Sequence, residues 1–288
     1  MIRNPLAEVF GFPICNCTKK ATHYREAQLC PFSNKVPNCT KDKAESPLGV
    51  CSVFHNGSAV ITCPTRFRED WLIIENAARF AFPQGSRWTS LSEIRLADNE
   101  GQSAGNIDYV VVRCNEKGEI VDFASIEVQG VYISGNLRHS FESYMASPSP
   151  DFCWDGKYFP RPDYLSSSRK RLIPQMLYKG GIFKAWKKKQ CVVLQKSFYD
   201  TLPPLERVPM EQADIAWFLY DLVYSEEDSQ MHLELVDTIY TEFQQALHTI
   251  ITPIPGSMEQ FMGTLQEKLD EKIQQSPDTH TLLDLCSI

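Results

Sequence analysis

Apolar and polar positions alternate most clearly between Ile107 and Gln129, in I-D-Y-V-V-V-R-C-N-E-K-G-E-I-V-D-F-A-S-I-E-V-Q. The segments 107–114 and 120–129 are rich in Val, Ile and aromatic residues and fit two strands on a pleated, half-buried surface. Asn115 to Gly118 carries turn-forming residues between them. Successive strand side chains point to opposite faces, so Val121, Phe123, Ser125, Glu127 and Gln129 share one face. Pairing Cys114 with Glu119 sets Asp108 opposite Ser125 and diagonal to Glu127 on that face. A slip by a single position would put the two acids on opposite faces.

The rest of the pattern surrounds this hairpin. N-P-L-A-E-V-F-G-F-P near the start predicts a short apolar helical turn ended by Gly11 and Pro13. Residues 68–82 predict an amphipathic helix with the stripe Trp71, Ile74, Ala78 and Phe82, closed by Pro83 to Ser86. Residues 165–189 read as a basic helical stretch broken near Gly180–Gly181, and Cys191 to Tyr199 as a strand. Further strands are expected over Asp214 to Tyr224 and Met231 to Tyr240. Helices follow over Thr241 to Ile251 and Met258 to Gln275, the latter with Glu and Lys at helical spacing. This order predicts an α/β (or α+β) chain with a mixed sheet flanked by helices. The expected division is a cysteine-bearing module over 1–67 and the main domain over 68–288.

Composition narrows the function classes. At 288 residues the chain has ample material for a core. It has neither an 18-residue apolar run nor a signal-like apolar region after Met1, so a cytoplasmic location is expected. Ten cysteines in such a protein point to reduced thiols and a metal site. Cys30, Cys39, Cys51 and Cys63 are spaced C-x(8)-C-x(11)-C-x(11)-C in a polar segment. Four thiolates from loops suit tetrahedral zinc or a single iron, and ion binding would supply folding energy there. Cys15 and Cys17 compete as ligands. The alternative is that these cysteines are small buried hydrophobes.

The net charge of −7 argues weakly against a nucleic-acid partner, but its distribution argues the other way. From Arg161 to Lys196 there are ten Lys/Arg and one acid, whereas from Glu206 onward sixteen acids face three bases. Arg169, Lys170, Arg171, Lys184 and Lys187 are therefore candidate DNA-binding residues.

An acid inside an apolar strand is costly unless it is exposed, paired or metal-bound. Asp108 and Glu127 are either such a site or the acids of an edge hairpin facing water. With the cysteine run, the pattern D-x(18)-E-x-Q resembles the NotI-type restriction endonuclease family. The resemblance rests on the opening N-P-L-A-E-V-F-G and the run L-C-P-F…N-C-T-K…G-V-C-S-V…I-T-C-P-T-R. It rests also on Glu93, fifteen residues before Asp108, and on I-E-V-Q, with Gln where related nucleases carry Lys.

The resemblance implies a PD-(D/E)xK nuclease core and a type II restriction endonuclease of a prokaryotic restriction-modification system. Such an enzyme would be a homodimer that cuts double-stranded DNA at a GC-rich palindrome with Mg²⁺. Glu93, Asp108, Glu127 and Gln129 match the family's active-site positions, and Cys30, Cys39, Cys51 and Cys63 its iron-binding cysteines. The expected roles are Asp108 as central Mg²⁺ ligand, Glu127 as second ligand, and Glu93 on a second ion or a bound water. The amide of Gln129 brings no charge, so more electrostatic work is expected to fall on metal ions. The residues alone favour zinc at the cysteines; the resemblance favours iron. The competing expectation is a non-catalytic DNA-binding protein with a structural zinc module.

Overall fold

The computed structural model describes residues 4–33, 37–43, 45–156 and 159–275. They fall into two compact units divided between Ile251 and Thr252. The expected boundary after residue 67 lies inside the first unit. No helix among the described residues is long and apolar enough to cross a membrane.

The first unit opens with a four-stranded sheet in the order β2-β1-β3-β4. Its strands are β1 (Leu6–Val9), β2 (Phe12–Pro13), β3 (Val50–His55) and β4 (Ser58–Ile61). The opening segment is thus a hairpin and not the expected helical turn. Val9 pairs with Phe12 across Phe10 (φ 51) and Gly11 (φ 84). Two successive left-handed residues give the twist that a two-residue hairpin loop needs. After β2, helix α1 (Lys19–Glu26) is capped by the Thr18 hydroxyl, which accepts from the Ala21 amide.

The second sheet has six strands in the order β12-β11-β10-β7-β6-β5. It contains β5 (Trp88–Ala97), β6 (Ser103–Cys114) and β7 (Ile120–Val128), joined as an antiparallel meander. The two-stranded pair β8 (Ile133–Ser134) and β9 (Arg161–Pro162) lies between β7 and the rest of the large sheet in sequence. The sheet is completed by β10 (Gln190–Gln195), β11 (Ile215–Ser225) and β12 (Gln230–Thr241). β10 is parallel to both neighbours, β7 and β11, and is buried along its length, as parallel strands usually are. It ends at Gln195; Lys196–Tyr199 is a helical turn, not more strand.

Helices cover both faces, which is the mixed α/β architecture expected. On one face, Ile73, Ile74, Ala77 and Ala78 of helix α2 (Leu72–Ala81) pack on Val111, Ile126, Val193 and Phe218. α2 is shorter than expected because Asp70 (φ 49) and Trp71 (φ 57) break away from the preceding 3-10 segment Pro64–Trp71. On the other face, Val192, Leu194 and Trp217 join a core with Leu172, Met176 and Phe243. The same core takes in Leu6, Val50 and Val60, which is why the N-terminal sheet shares its interior with the main one.

The basic helical stretch runs over 164–185 as one succession of turns with π-helical segments at Ser168–Leu172 and Met176–Gly180. It is not broken at Gly180–Gly181, whose backbones stay helical. A Cβ on Gly180 would lie 2.4 Å from the Phe243 ring, so glycine there permits close packing against the helix Phe243–Ile251.

Candidate active site and thiol cavity

The meander places three acids in one row across three strands. Tyr109 pairs with Ile126, which brings Asp108 on β6 opposite Glu127 on β7. Cys114 pairs with Ile120 and not Glu119, and a bulge between Arg113 and Cys114 adds one more position, so the register moves by two in all and the facing is preserved. On the other side, the pairs Ser92↔Tyr109 and Ile94↔Ile107 bracket Glu93 opposite Asp108. Glu93 itself is exposed and sits at φ 59, interrupting the β5 ladder. Such a conformation is uncommon for a residue with a side chain, and strained backbone clusters at functional sites.

The two central carboxyls are withdrawn from water. Asp108 Oδ2 accepts a hydrogen bond from the Val128 amide at 2.8 Å. Burial raises the Asp108 carboxyl above its ordinary range, against that hydrogen bond and the charges of Lys179 and Arg68. Burial, with the Asp108 charge added, pushes Glu127 up to about 7. Carboxyls so perturbed and adjacent are suited to a cation or a reacting proton. Arg68 also touches this neighbourhood, its guanidinium 5.5 Å from the centre of the Tyr109 ring and its Nε buried without a hydrogen-bond partner.

Lys179 is the site residue that the sequence expectations did not include. Its Nζ lies 2.8 Å from both Glu127 oxygens and also donates to the Asn106 carbonyl. A readable signal exists: Leu172, Met176, Lys179 and Phe183 recur at helical spacing and all four are buried, so a lysine stands in an apolar stripe. Gln129 lies just past β7, buried, with its Nε2 donating to the Gly130 carbonyl at 2.8 Å.

Cys30, Cys39, Cys51 and Cys63 line one cavity of about 140 Å³, together with Phe32, Lys41, Arg66 and Glu93. Cys39, Cys51 and Cys63 are buried and Cys30 is half-buried. Burial pushes the Cys30 thiol up to about 11, and the charges of Cys63 and Cys39 add to the rise. A thiol held protonated in this way ionises readily only with a cation to compensate, so the donor set fits a thiolate-binding metal. Among the described residues no three His, Cys, Asp or Glu side chains already stand at the spacing of a coordinated ion. Cys15 and Cys17 are exposed and do not line this cavity.

The cavity is tied to the main sheet by a buried cation. Arg66, three residues after Cys63, donates from Nε to Glu8 at 2.9 Å, from one terminal nitrogen to Glu69 at 2.7 Å and from the other to the Met231 carbonyl at 2.6 Å. Its guanidinium also stacks over Phe32 at 4.4 Å. Glu8 in turn accepts from the Ser52 hydroxyl at 2.7 Å.

The expected DNA-facing cations divide. Arg169, Lys170 and Arg171 project from the first π turn of the 164–185 run and are exposed, Arg171 resting over Tyr132 at 5.1 Å. Lys187 is exposed at φ 56. Lys184 instead pairs with Asp214 at 2.7 Å.

A comparison with curated proteins gives no match. A family model described as restriction endonuclease NotI matches residues 9–233, a stretch that includes the acidic row, the four cysteines of the cavity and Lys179. The chain belongs to the NotI restriction endonuclease family.

Proposed function

We propose that this restriction endonuclease is a type II enzyme that hydrolyses double-stranded DNA with Mg²⁺ at the row Glu93–Asp108–Glu127. The observation that carries the proposal is the pairing of β6 with β7, which sets Asp108 opposite Glu127 on one face. Mg²⁺ prefers carboxylate and water oxygens, and when bound it would polarise the phosphate and acidify a water. Asp108 would be the central ligand, held by the Val128 amide, and Glu127 the second. Glu93, at the exposed end of the row, would bind a second ion or orient a water. Gln129 would orient water and bring no charge.

The exposed cations Arg169, Lys170, Arg171 and Lys187 would track phosphates, and bases would be read by hydrogen bonds in the major groove. A twofold homodimer would read a palindrome with one active site per strand, and the family suggests one rich in G and C. Cys30, Cys39, Cys51 and Cys63 would hold iron, with zinc as the alternative. Four thiolates fill a tetrahedral ion and leave no position for water, so that centre would be structural.

The test is digestion of a sequenced genome by purified protein with Mg²⁺, followed by mapping of the ends. Ends at one recurring palindrome support the proposal. Specific binding without cleavage would instead establish a DNA-binding protein whose acids do no chemistry.

A further inference from the structure

The lysine that related nucleases place two residues after the second acid is here Gln129, yet a lysine does reach the acidic row from another element. Lys179 is 5% exposed and donates to both Glu127 oxygens at 2.8 Å. Holding a lysine there requires several local features. It lies within the π turn Met176–Gly180, a distortion that recurs at functional sites. Gly105 (φ +103) leaves room for its stem, since a Cβ there would stand 3.3 Å from Lys179 Cε. The Asn106 carbonyl takes a further proton of the ammonium. Other lysines near the sheet are committed elsewhere: Lys184 to Asp214, Lys188 to Asp122, and Lys189 to the Ala213 carbonyl.

We propose that Lys179 is a catalytic residue that brings to the scissile phosphate the positive charge that position 129 lacks. The proposal rests on the reading of Asp108 and Glu127 as the hydrolytic centre. In the hydrolysis, a bond forms between a water oxygen and phosphorus while the bond from phosphorus to the leaving sugar oxygen breaks. The attacking water gives up a proton to solvent, and the leaving oxygen gains one from solvent. Lys179 keeps its protons throughout and stabilises the charge that develops on the phosphate oxygens. In the resting arrangement its protons are held by Glu127 and Asn106. When one Glu127 oxygen is engaged elsewhere, an N–H is released toward the row.

The test uses the full-length protein and a duplex carrying the mapped cut site. Wild type, Lys179→Gln, Lys179→Met and Asp108→Asn are compared in single-turnover cleavage with Mg²⁺. Binding with Ca²⁺ in place of Mg²⁺ is measured on the same duplex and on one with a neutral methylphosphonate at the scissile position. Loss of one preorganised donor predicts cleavage slowed about 100-fold or more in both Lys179 variants. Wild type should lose about tenfold in affinity on methylphosphonate substitution, as expected for a charge-assisted contact, and the Lys179 variants less than threefold. Cleavage by either variant within threefold of wild type overturns the proposal, as does an equal methylphosphonate loss in all proteins. If neither variant folds, Lys179 is a structural cation and the proposal is also overturned. Asp108→Asn separates the two claims. If it is inactive while Lys179→Gln is active, only the lysine assignment falls; if it cuts like wild type, the hydrolytic centre itself is misplaced.

Discussion

Arg66 offers the sharpest stability prediction. Its side chain and that of Glu8 are both 0% exposed, and they meet at 2.9 Å. Arg66→Met would remove four interactions at once and leave the Glu8 carboxylate in a dry interior with the Ser52 hydroxyl as its remaining partner. Breaking a buried pair from one side costs about 3–5 kcal/mol, because the stranded charge has lost its compensation. Burial already outweighs the Arg66 attraction in setting the Glu8 carboxyl above its ordinary range, so Glu8 would take up a proton in the variant. That response limits the loss, and the lower end of the range is expected. For a domain of this size it corresponds to a fall in melting temperature on the order of 10 °C. Urea unfolding followed by tryptophan fluorescence reads the difference directly. Glu8→Leu/Arg66→Met removes both charges and should recover most of the loss, since an apolar pair of similar volume commonly replaces a buried ion pair at little cost. A single variant within about 1 kcal/mol of wild type, or a double variant less stable than the single, would refute the reasoning, because the threshold separates this loss from a surface substitution.

Asp108→Asn and Glu127→Gln should each abolish Mg²⁺-dependent cleavage while leaving specific DNA binding within a few-fold, which gel shift in Ca²⁺ would check. Burial raises Glu127 from its ordinary 4.5 to about 7. Its contribution to stability is therefore complete below pH 4.5 and falls by roughly 3 kcal/mol as pH rises toward 7. Without divalent ions, Glu127→Gln should remove that slope from urea unfolding, and an unchanged slope would show that the proton sits elsewhere. Cys39→Ser should lose bound iron or zinc by elemental analysis and lower the melting temperature; retention of both would remove Cys39 from the ligand set. Replacing Arg169, Lys170 and Arg171 together by Gln should reduce the salt dependence of DNA affinity by about one per lost phosphate contact, read from titrations across NaCl concentration.

The hairpin and the two later strands were legible because their periods are long and their turns carry Asn, Gly and acidic residues. The register was not, because the pairing of Cys114 with Ile120 and a bulge between Arg113 and Cys114, one position each, leave no mark in composition. The expected pairing was two positions out, and only because that displacement is even did Asp108 stay on the face of Glu127. The N-terminal strands differ from the expected helical turn because four apolar-rich residues suit either period, and the deciding feature is the left-handed backbone at Phe10 and Gly11. Lys179 falls within the basic run in composition, whereas its neighbours in the stripe, Leu172, Met176 and Phe183, mark it as buried. Arg66 and Glu8 had no local signal at all, since their pairing joins positions 58 apart in sequence.

The acidic row lies within one uninterrupted meander, from Glu93 to Glu127, whereas Lys179 arrives 52 residues after Glu127. During folding, hairpin contacts of this kind close within microseconds, while the parallel partner β10 and the lysine await slower, long-range closure. The three acids can therefore gather before the lysine that pairs with Glu127 arrives. Mild acidity or a divalent ion should consequently speed the early collapse, and the arrival of the 164–185 helix should be the step that locks the sheet.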